Sequence, residues 1–357
     1  MKTVLVVGAL GTVGRAVLEH FETKEGCEII GLSRRAPDFR TRARFLSADL
    51  SDRASLAAIA PDLAQVTHVV YAALHEQQGL VSGWTERDHV RLNLEMLTNL
   101  VDAVEGAADN FVHIGLMQGG KAYGLHLGPP PLTPSRETDP RTMGPNFYWD
   151  QEDFLRARQQ DAGWAWTVFR PPSVCGFAIG SPMNAILTVG VFAALCREMG
   201  LPFRFPGALG HLKDACDAGL LARAIDWAGD LANAGNEIFN VANGDCFVWE
   251  QVWTHVGRVF GMEAAEPHML SLARAMTDRG PVWDEVVRRH DLVPYRLDQL
   301  VPNWEYADFT FRYAQKPYNS LLSTIKLRQA GFHDCVDTLQ MTIDQLRQLQ
   351  QMKILPS

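Results

Sequence analysis

A stretch near the start of the chain, Gly8-Ala9-Leu10-Gly11-Thr12-Val13-Gly14, constrains the fold more than any other part of the sequence. It follows a short apolar run, Thr3-Val4-Leu5-Val6-Val7, with the composition of a strand buried on both faces of a parallel sheet. Beyond it Val13, Ala16, Val17, His20 and Phe21 recur at helical spacing. Strand, glycine turn and helix, in that order, are what a dinucleotide pyrophosphate needs. Gly8 permits the tight turn, Gly11 lets the backbone approach the phosphates, and Gly14 lets the helix close on the strand. The helix start then offers free N–H groups and the positive end of its dipole to the anion. Gly8, Leu10, Gly11, Thr12, Val13 and Gly14 are therefore the first candidate cofactor residues. The competing reading, an ordinary glycine-rich β–α turn, is disfavoured by the flanking pattern.

Further strands follow at intervals. Cys27–Leu32 reads as the second and ends at Ser33-Arg34-Arg35, where an acid would favour the ribose hydroxyls of NAD. Two arginines there suit the 2′-phosphate of NADP instead; the alternative is a pair of solvated surface arginines. Residues 44–48 read as a third strand leading to Asp49-Leu50, which are assigned to the cofactor, whereas Asp52 is expected to cap the next helix. Residues 67–73 form a fourth strand whose small Ala72 and Ala73 leave room for a cofactor. A long helix is expected over 84–104, with Asn93, Met96 and Asn99 on it, the polar residues facing solvent or a sheet edge. Residues 111–115 form a fifth strand, in which His113 is read as a core histidine. Gln118 and Lys121 then arrive among glycines at a strand end, and in a doubly wound sheet strand ends face the ligand crevice. Residues 166–171 are the sixth strand and its exit, placing Pro171, Ser173 and Val174 along the nicotinamide. Asp217 is expected to cap a helix, and residues 238–241 to rejoin the sheet.

The expected fold is α/β: a Rossmann-type doubly wound parallel sheet with a smaller, mainly helical C-terminal substrate-binding region. The dinucleotide-binding unit takes residues 1–175 and 211–244, the substrate-binding lid residues 176–210 and 245–357. On an apolar helix over 183–199 and the strand-like return after it, Met183, Phe192 and Phe203 are candidates to line an apolar substrate pocket.

Composition narrows the function. A net charge of −8 disfavours a nucleic-acid partner. No apolar run approaches the roughly 20 residues of a membrane span, so no membrane partner is expected. Lys2 and the apolar run after it are too soon interrupted by the glycines to read as a signal peptide. The 6 cysteines form no C-x-x-C pair and no zinc spacing, which points to free thiols in a cytoplasmic protein and to no metal. A homodimer is left open.

The glycine spacing G-x-x-G-x-x-G points to short-chain dehydrogenases/reductases of the extended or atypical kind. In the ordinary form a Tyr opens the helix after the fifth strand, with a Lys four residues on and one turn away on the same face. Here Tyr148 stands in Asn146-Phe147-Tyr148-Trp149-Asp150-Gln151-Glu152-Asp153, and the fourth residue is Glu152. A carboxylate placed there is expected to raise the phenol pKa, so the lysine must come from elsewhere or the site is dead. Lys121, after the fifth strand, is the candidate.

With this displaced pair the chain resembles the progesterone 5β-reductase/iridoid synthase family nearly end to end. The resemblance rests on Gly119-Gly120-Lys121-Ala122-Tyr123, the Asn146 to Asp153 motif, and Arg170-Pro171-Pro172-Ser173-Val174-Cys175-Gly176-Phe177. It continues through Arg204-Phe205-Pro206-Gly207, residues 236–245 and Pro281-Val282-Trp283-Asp284-Glu285. Met117-Gln118 departs from the Gln-Thr that often precedes the glycine in the family. The resemblance implies NADPH as cofactor, Lys121 and Tyr148 as catalytic residues, and a small-molecule activated alkene, an enone or enal, as substrate. Hydride would go to the β-carbon, with the Tyr148 hydroxyl stabilising the enolate and Lys121 supplying positive charge beside it. The residues alone support an NADP-binding reductase-like protein. They leave open an NADPH-dependent carbonyl reductase, a sugar-nucleotide epimerase lacking its usual Tyr–Lys pair, and a non-catalytic NADP-binding sensor.

Overall fold

The structure, a computed structural model, describes residues 1–76, 79–230 and 234–357, with the backbone alone at residue 82. Its strands in chain order are β1 (Lys2–Val7), β2 (Cys27–Leu32), β3 (Arg44–Leu46), β4 (His68–Tyr71), β5 (His113–Met117), β6 (Ala165–Arg170), β7 (Ser173–Cys175), β8 (Phe203–Arg204), β9 (Ala215–Asp217), β10 (Glu237–Asn240) and β11 (Ala264–Ala265). Seven of them form one sheet in the order β10-β6-β5-β4-β1-β2-β3. Every pairing in it is parallel.

Alternation along β1 explains the two layers around the sheet. Val4 and Val6 face one core with α1 (Thr12–Glu22) and α7 (Ala218–Gly229). Leu5 and Val7 face the other, with α2 (Arg53–Leu63), α4 (Arg87–Ala107) and α5 (Phe147–Gln159). A strand buried on both faces has no polar side to show, hence its continuous apolar run. Register brings Val7 level with Leu32 on one side and Tyr71 on the other, so Gly8, Ser33 and Ala72 lie abreast at the strand ends. Strand order reverses between β1 and β4, the switch point at which such sheets bind ligands.

A third core is helical. It gathers α6 (Ala185–Glu198), α8 (Trp249–Val259), α10 (Gly280–Arg289), α14 (Thr338–Gln351) and the short turns α3 (Leu80–Gly83), α9 (Leu272–Ala275), α11 (Leu297–Leu300) and α12 (Glu305–Thr310). Phe192 and Phe203 belong to this core, not to a pocket. Both are fully packed, and Phe203 stacks on Trp253 at 4.8 Å. They were open to misassignment because 12 residues of α6, Ala185 to Cys196, are buried, so the helix has no distinguishable pocket face.

Three expectations shift. The helix expected over 84–104 is α4, which begins only at Arg87 and runs to Ala107, because Trp84 caps the end of α3. The fifth strand runs on to Met117, which pairs with Phe169. The lid does not own the whole C-terminal part: α13 (Ile325–Gln329) returns to the sheet, with Leu327 and Phe332 packed against Trp227 and Phe239. The expected caps hold. Asp52 accepts from Ala54 N at 2.9 Å, and Asp217 from Leu220 N at 2.8 Å.

Candidate active site

One cleft runs from the glycine turn at the strand ends to the helical lid. Its first wall is backbone. Gly8 has φ +80°, and a Cβ there would sit 2.7 Å from the Ala72 carbonyl oxygen. At Gly14 a Cβ would lie 2.2 Å from the Gly8 oxygen, so only glycine lets α1 come this close to the turn. Gly11 precedes α1 without a side-chain cap, leaving the first N–H groups of the helix for a ligand. Leu10, Gly11, Thr12 and Val13 line the cleft; Gly14 does not, and acts through helix–turn packing.

Beyond the turn, Ser33, Arg34, Arg35, Asp49 and Leu50 all line the cleft. Arg34 and Arg35 are exposed, and no ion pair holds either among the described residues. Bonds from Ser51, assisted by the charge of Arg34, hold the Asp49 carboxyl below its usual range. Ala72, Ala73, Pro171, Ser173 and Val174 continue the wall. The cradle that a side chain would fill at Gly8, the open helix N-terminus and the two free guanidiniums fit a phosphorylated dinucleotide.

Tyr148 and Lys121 come together across the cleft although 27 positions apart would suggest no local link. Asn146 joins their backbones: its Oδ1 accepts from Tyr148 N at 3.1 Å, and its Nδ2 donates to the Lys121 carbonyl at 2.7 Å. The Lys121 ammonium sits against three rings, 4.5 Å from the centroid of Trp84, 5.2 Å from Phe147 and 5.3 Å from Tyr148. Glu76 lies 3.9 Å from it, and among the described residues it has no hydrogen-bond partner. Burial lowers its pKa to about 8, opposed by the charge of Glu76. Burial raises the Tyr148 phenol, and Glu76 and Tyr306 add to that. The phenol therefore stays protonated and is a hydrogen-bond donor at neutral pH. Its hydroxyl lies beside Gly119, where a Cβ would come within 3.6 Å of it.

Glu152 does not act on the phenol as the sequence led us to expect. It is buried against Arg170, with a 2.7 Å bond, and also accepts from Arg156 at 3.1 Å. The turn that carries lysine in ordinary reductases thus carries a neutralised ion pair. Gln118 completes that layer, accepting from Arg170 Nε at 2.9 Å and donating to the Tyr148 carbonyl at 2.7 Å. Its side chain positions the tyrosine helix, while the residue still borders the cleft.

Asn93 is buried, not solvent-facing. It clamps the backbone of His75 with bonds of 2.9 and 3.1 Å, fixing the segment that delivers Glu76. Sequence reasoning missed Glu76, Trp84 and Tyr306, whose hydroxyl reaches Ser173 Oγ at 3.4 Å. Nothing in their local sequence marks them, since each arrives from a connection or a short turn. Met183 does border the cleft. His113, as expected, is a core residue bonded to Thr167 Oγ1 at 2.9 Å, and burial lowers it to about 3. No helix among the described residues is long and apolar enough to cross a membrane.

Comparison with known proteins places this geometry. Residues 47–311 match the family model of the PRISE-like Rossmann-fold domain. The (S)-8-oxocitronellyl enol synthase of Antirrhinum majus is 30% identical, over 99% of this chain and 92% of its own. That of Nepeta cataria is 34% identical, over 85% of this chain and 81% of its own. Among solved structures, the UDP-glucose 4-epimerase of Thermus thermophilus, in complex with NAD, superposes with a TM-score of 0.65 over 97% of this chain and 99% of that one, at 19% identity. Another UDP-glucose 4-epimerase gives 0.71 over 98% of each, at 15%. At such identity the likeness to the epimerases concerns the fold alone.

Proposed function

The chain belongs to the PRISE-like Rossmann-fold family, and from that premise we propose that it is an NADPH-dependent ene-reductase acting on an activated enone or enal. Gly8 to Val13 would hold the pyrophosphate, Arg34 and Arg35 the 2′-phosphate, and Pro171 to Val174 the nicotinamide end. NADPH, when bound, supplies hydride, which reduction of an activated alkene needs at the β-carbon. What the chain itself supplies is stabilisation of the enolate oxygen created at the same time.

One observation carries this reading: Tyr148 borders the cleft with its phenol protonated, its hydroxyl bonded to no group among the described residues, and its ring 5.3 Å from the Lys121 ammonium. A fixed neutral donor aimed where negative charge develops is the usual source of oxyanion stabilisation. Lys121 adds positive potential through the ring face, not through a hydrogen bond. Glu76, and the rings of Trp84 and Phe147, hold the ammonium in place. The α-carbon proton is left to solvent. The relatives' names, (S)-8-oxocitronellyl enol synthases, support a reaction that passes through an enol.

The test is NADPH oxidation with cyclohexenone, the product identified by gas chromatography. Cyclohexanone is the expected product. An allylic alcohol would mean carbonyl reduction, and NADPH binding without turnover of any enone would favour a sensor.

A further inference from the structure

At the lid end the cleft is bordered by Lys213, Asp214, Arg312 and Ser320. Two of these are cations that the fold keeps out of water, with exposures of 7% for Lys213 and 2% for Arg312. Lys213 is pinned by backbone bridges to Phe247 and Ser320, and its ammonium donates to the Thr310 carbonyl at 3.1 Å. Arg312 lies flat on the Tyr318 ring at 3.8 Å and near Phe309 at 5.2 Å. Its Nε and Nη1 are buried with no hydrogen-bond partner among the described residues. Its backbone is held at φ +58°, a conformation that a residue with a side chain rarely adopts.

A buried guanidinium with unused donors is unfavourable unless something fills them. Asp214 borders the cleft beside the two cations, with Asp245 behind it, and it already accepts from Leu322 N at 2.7 Å. Burial and the neighbouring Arg312 bring Lys213 down to about 7, and burial brings Asp214 up to about 7. Asp214 faces Lys213 and can balance it, which leaves the Arg312 guanidinium as the cation with unused donors. That charge matches a monoanion better than a phosphate dianion. The planar fork of arginine also suits a carboxylate. Phe309 and Trp84, 5.3 Å apart edge to face, join this end to Lys121 and give the space between an apolar wall.

We propose that the substrate carries a carboxylate at the end remote from its carbonyl, received by Arg312 and Lys213; this rests on the reductase reading above. The test uses straight-chain enones ending in a carboxylate, in graded tether lengths, each beside its methyl ester. Binding to the NADP⁺-loaded protein is measured by calorimetry, and turnover with NADPH separately. For the tether that fits, the acid should bind at least about tenfold tighter than its ester. Arg312→Gln should reduce that preference to about threefold or less. The comparison of acid and ester in the parent protein needs no variant, so it stands even if Arg312→Gln fails to fold. Esters binding as well as acids at every length would overturn the proposal while leaving ene-reduction intact. Acid-selective binding without turnover of either would support the anion site while removing the reductase reading. Uridine diphosphate binding more tightly than every acid would make the site a diphosphate site and overturn the carboxylate.

Discussion

At the strand ends the cleft is walled by backbone and small residues, Gly8, Gly11, Ala72 and Ala73; at the lid end it is walled by charged and aromatic side chains, the buried Arg312, Lys213 and Tyr306 and the half-buried Phe309. The first kind of wall follows from register and turn geometry, which any chain with this strand–glycine–helix pattern reproduces. The second depends on residues from several distant segments meeting in one place. The contrast teaches that the cofactor half is specified locally and the substrate half globally. Between them lies the layer that holds Tyr148, and it shares both characters: a local Asn146 cap, and a long-range ion pair between Arg170 and Glu152.

The largest effect expected is in that middle layer. Arg170→Met removes the buried partner of Glu152 and leaves it only the half-exposed Arg156 and Arg141, and should cost about 3 kcal/mol of stability. Denaturant unfolding of the parent and the variant measures it; a loss within error would mean that the layer does not depend on the pair. Next comes the backbone wall. Gly14→Ala drives a methyl into the Gly8 carbonyl and should cost about 1–3 kcal/mol, with NADPH affinity lost alongside. A substitution of equal size at exposed Arg53, by contrast, should leave NADPH affinity alone.

Smaller is the choice between cofactors. Arg34→Ser with Arg35→Ser should lower the NADPH preference over NADH by about tenfold or more, since charge-assisted bonds to the 2′-phosphate are lost. Dissociation constants for both cofactors decide it, and an unchanged ratio would return the arginines to the solvated surface. The smallest effect is on pH. The Lys121 ammonium is present below a pKa of about 8 and lost above it, so turnover should fall as pH rises through that value. Glu76→Gln removes the charge that favours the ammonium and should move this limb to lower pH; Lys121→Met should abolish it. A limb that Glu76→Gln leaves in place would assign it to another group.

The same contrast explains what could be read from the sequence. Strand β1, the glycine turn and the caps at Asp52 and Asp217 are written in adjacent residues, and local pattern identified them. The pairing of Lys121 with Tyr148 came from a missing lysine at position 152, a signal of absence that only a family resemblance could fill. Glu76 was invisible because it arrives through a connection held by Asn93, and a mid-helix Asn has no sequence mark of that duty. Phe192 and Phe203 were misplaced because α6 is apolar all round, so periodicity gives no direction. The expected lid ran on through α13 because nothing in its sequence marks that this short helix crosses back to the sheet.

The central claim is that the Tyr148 hydroxyl stabilises the enolate. Tyr148→Phe tests it most directly, with kcat for cyclohexenone reduction and the NADPH dissociation constant measured on the same preparation. The account predicts a loss of about 10²–10³ in kcat with cofactor affinity preserved. Reduction of the alkene at the parental rate would contradict it.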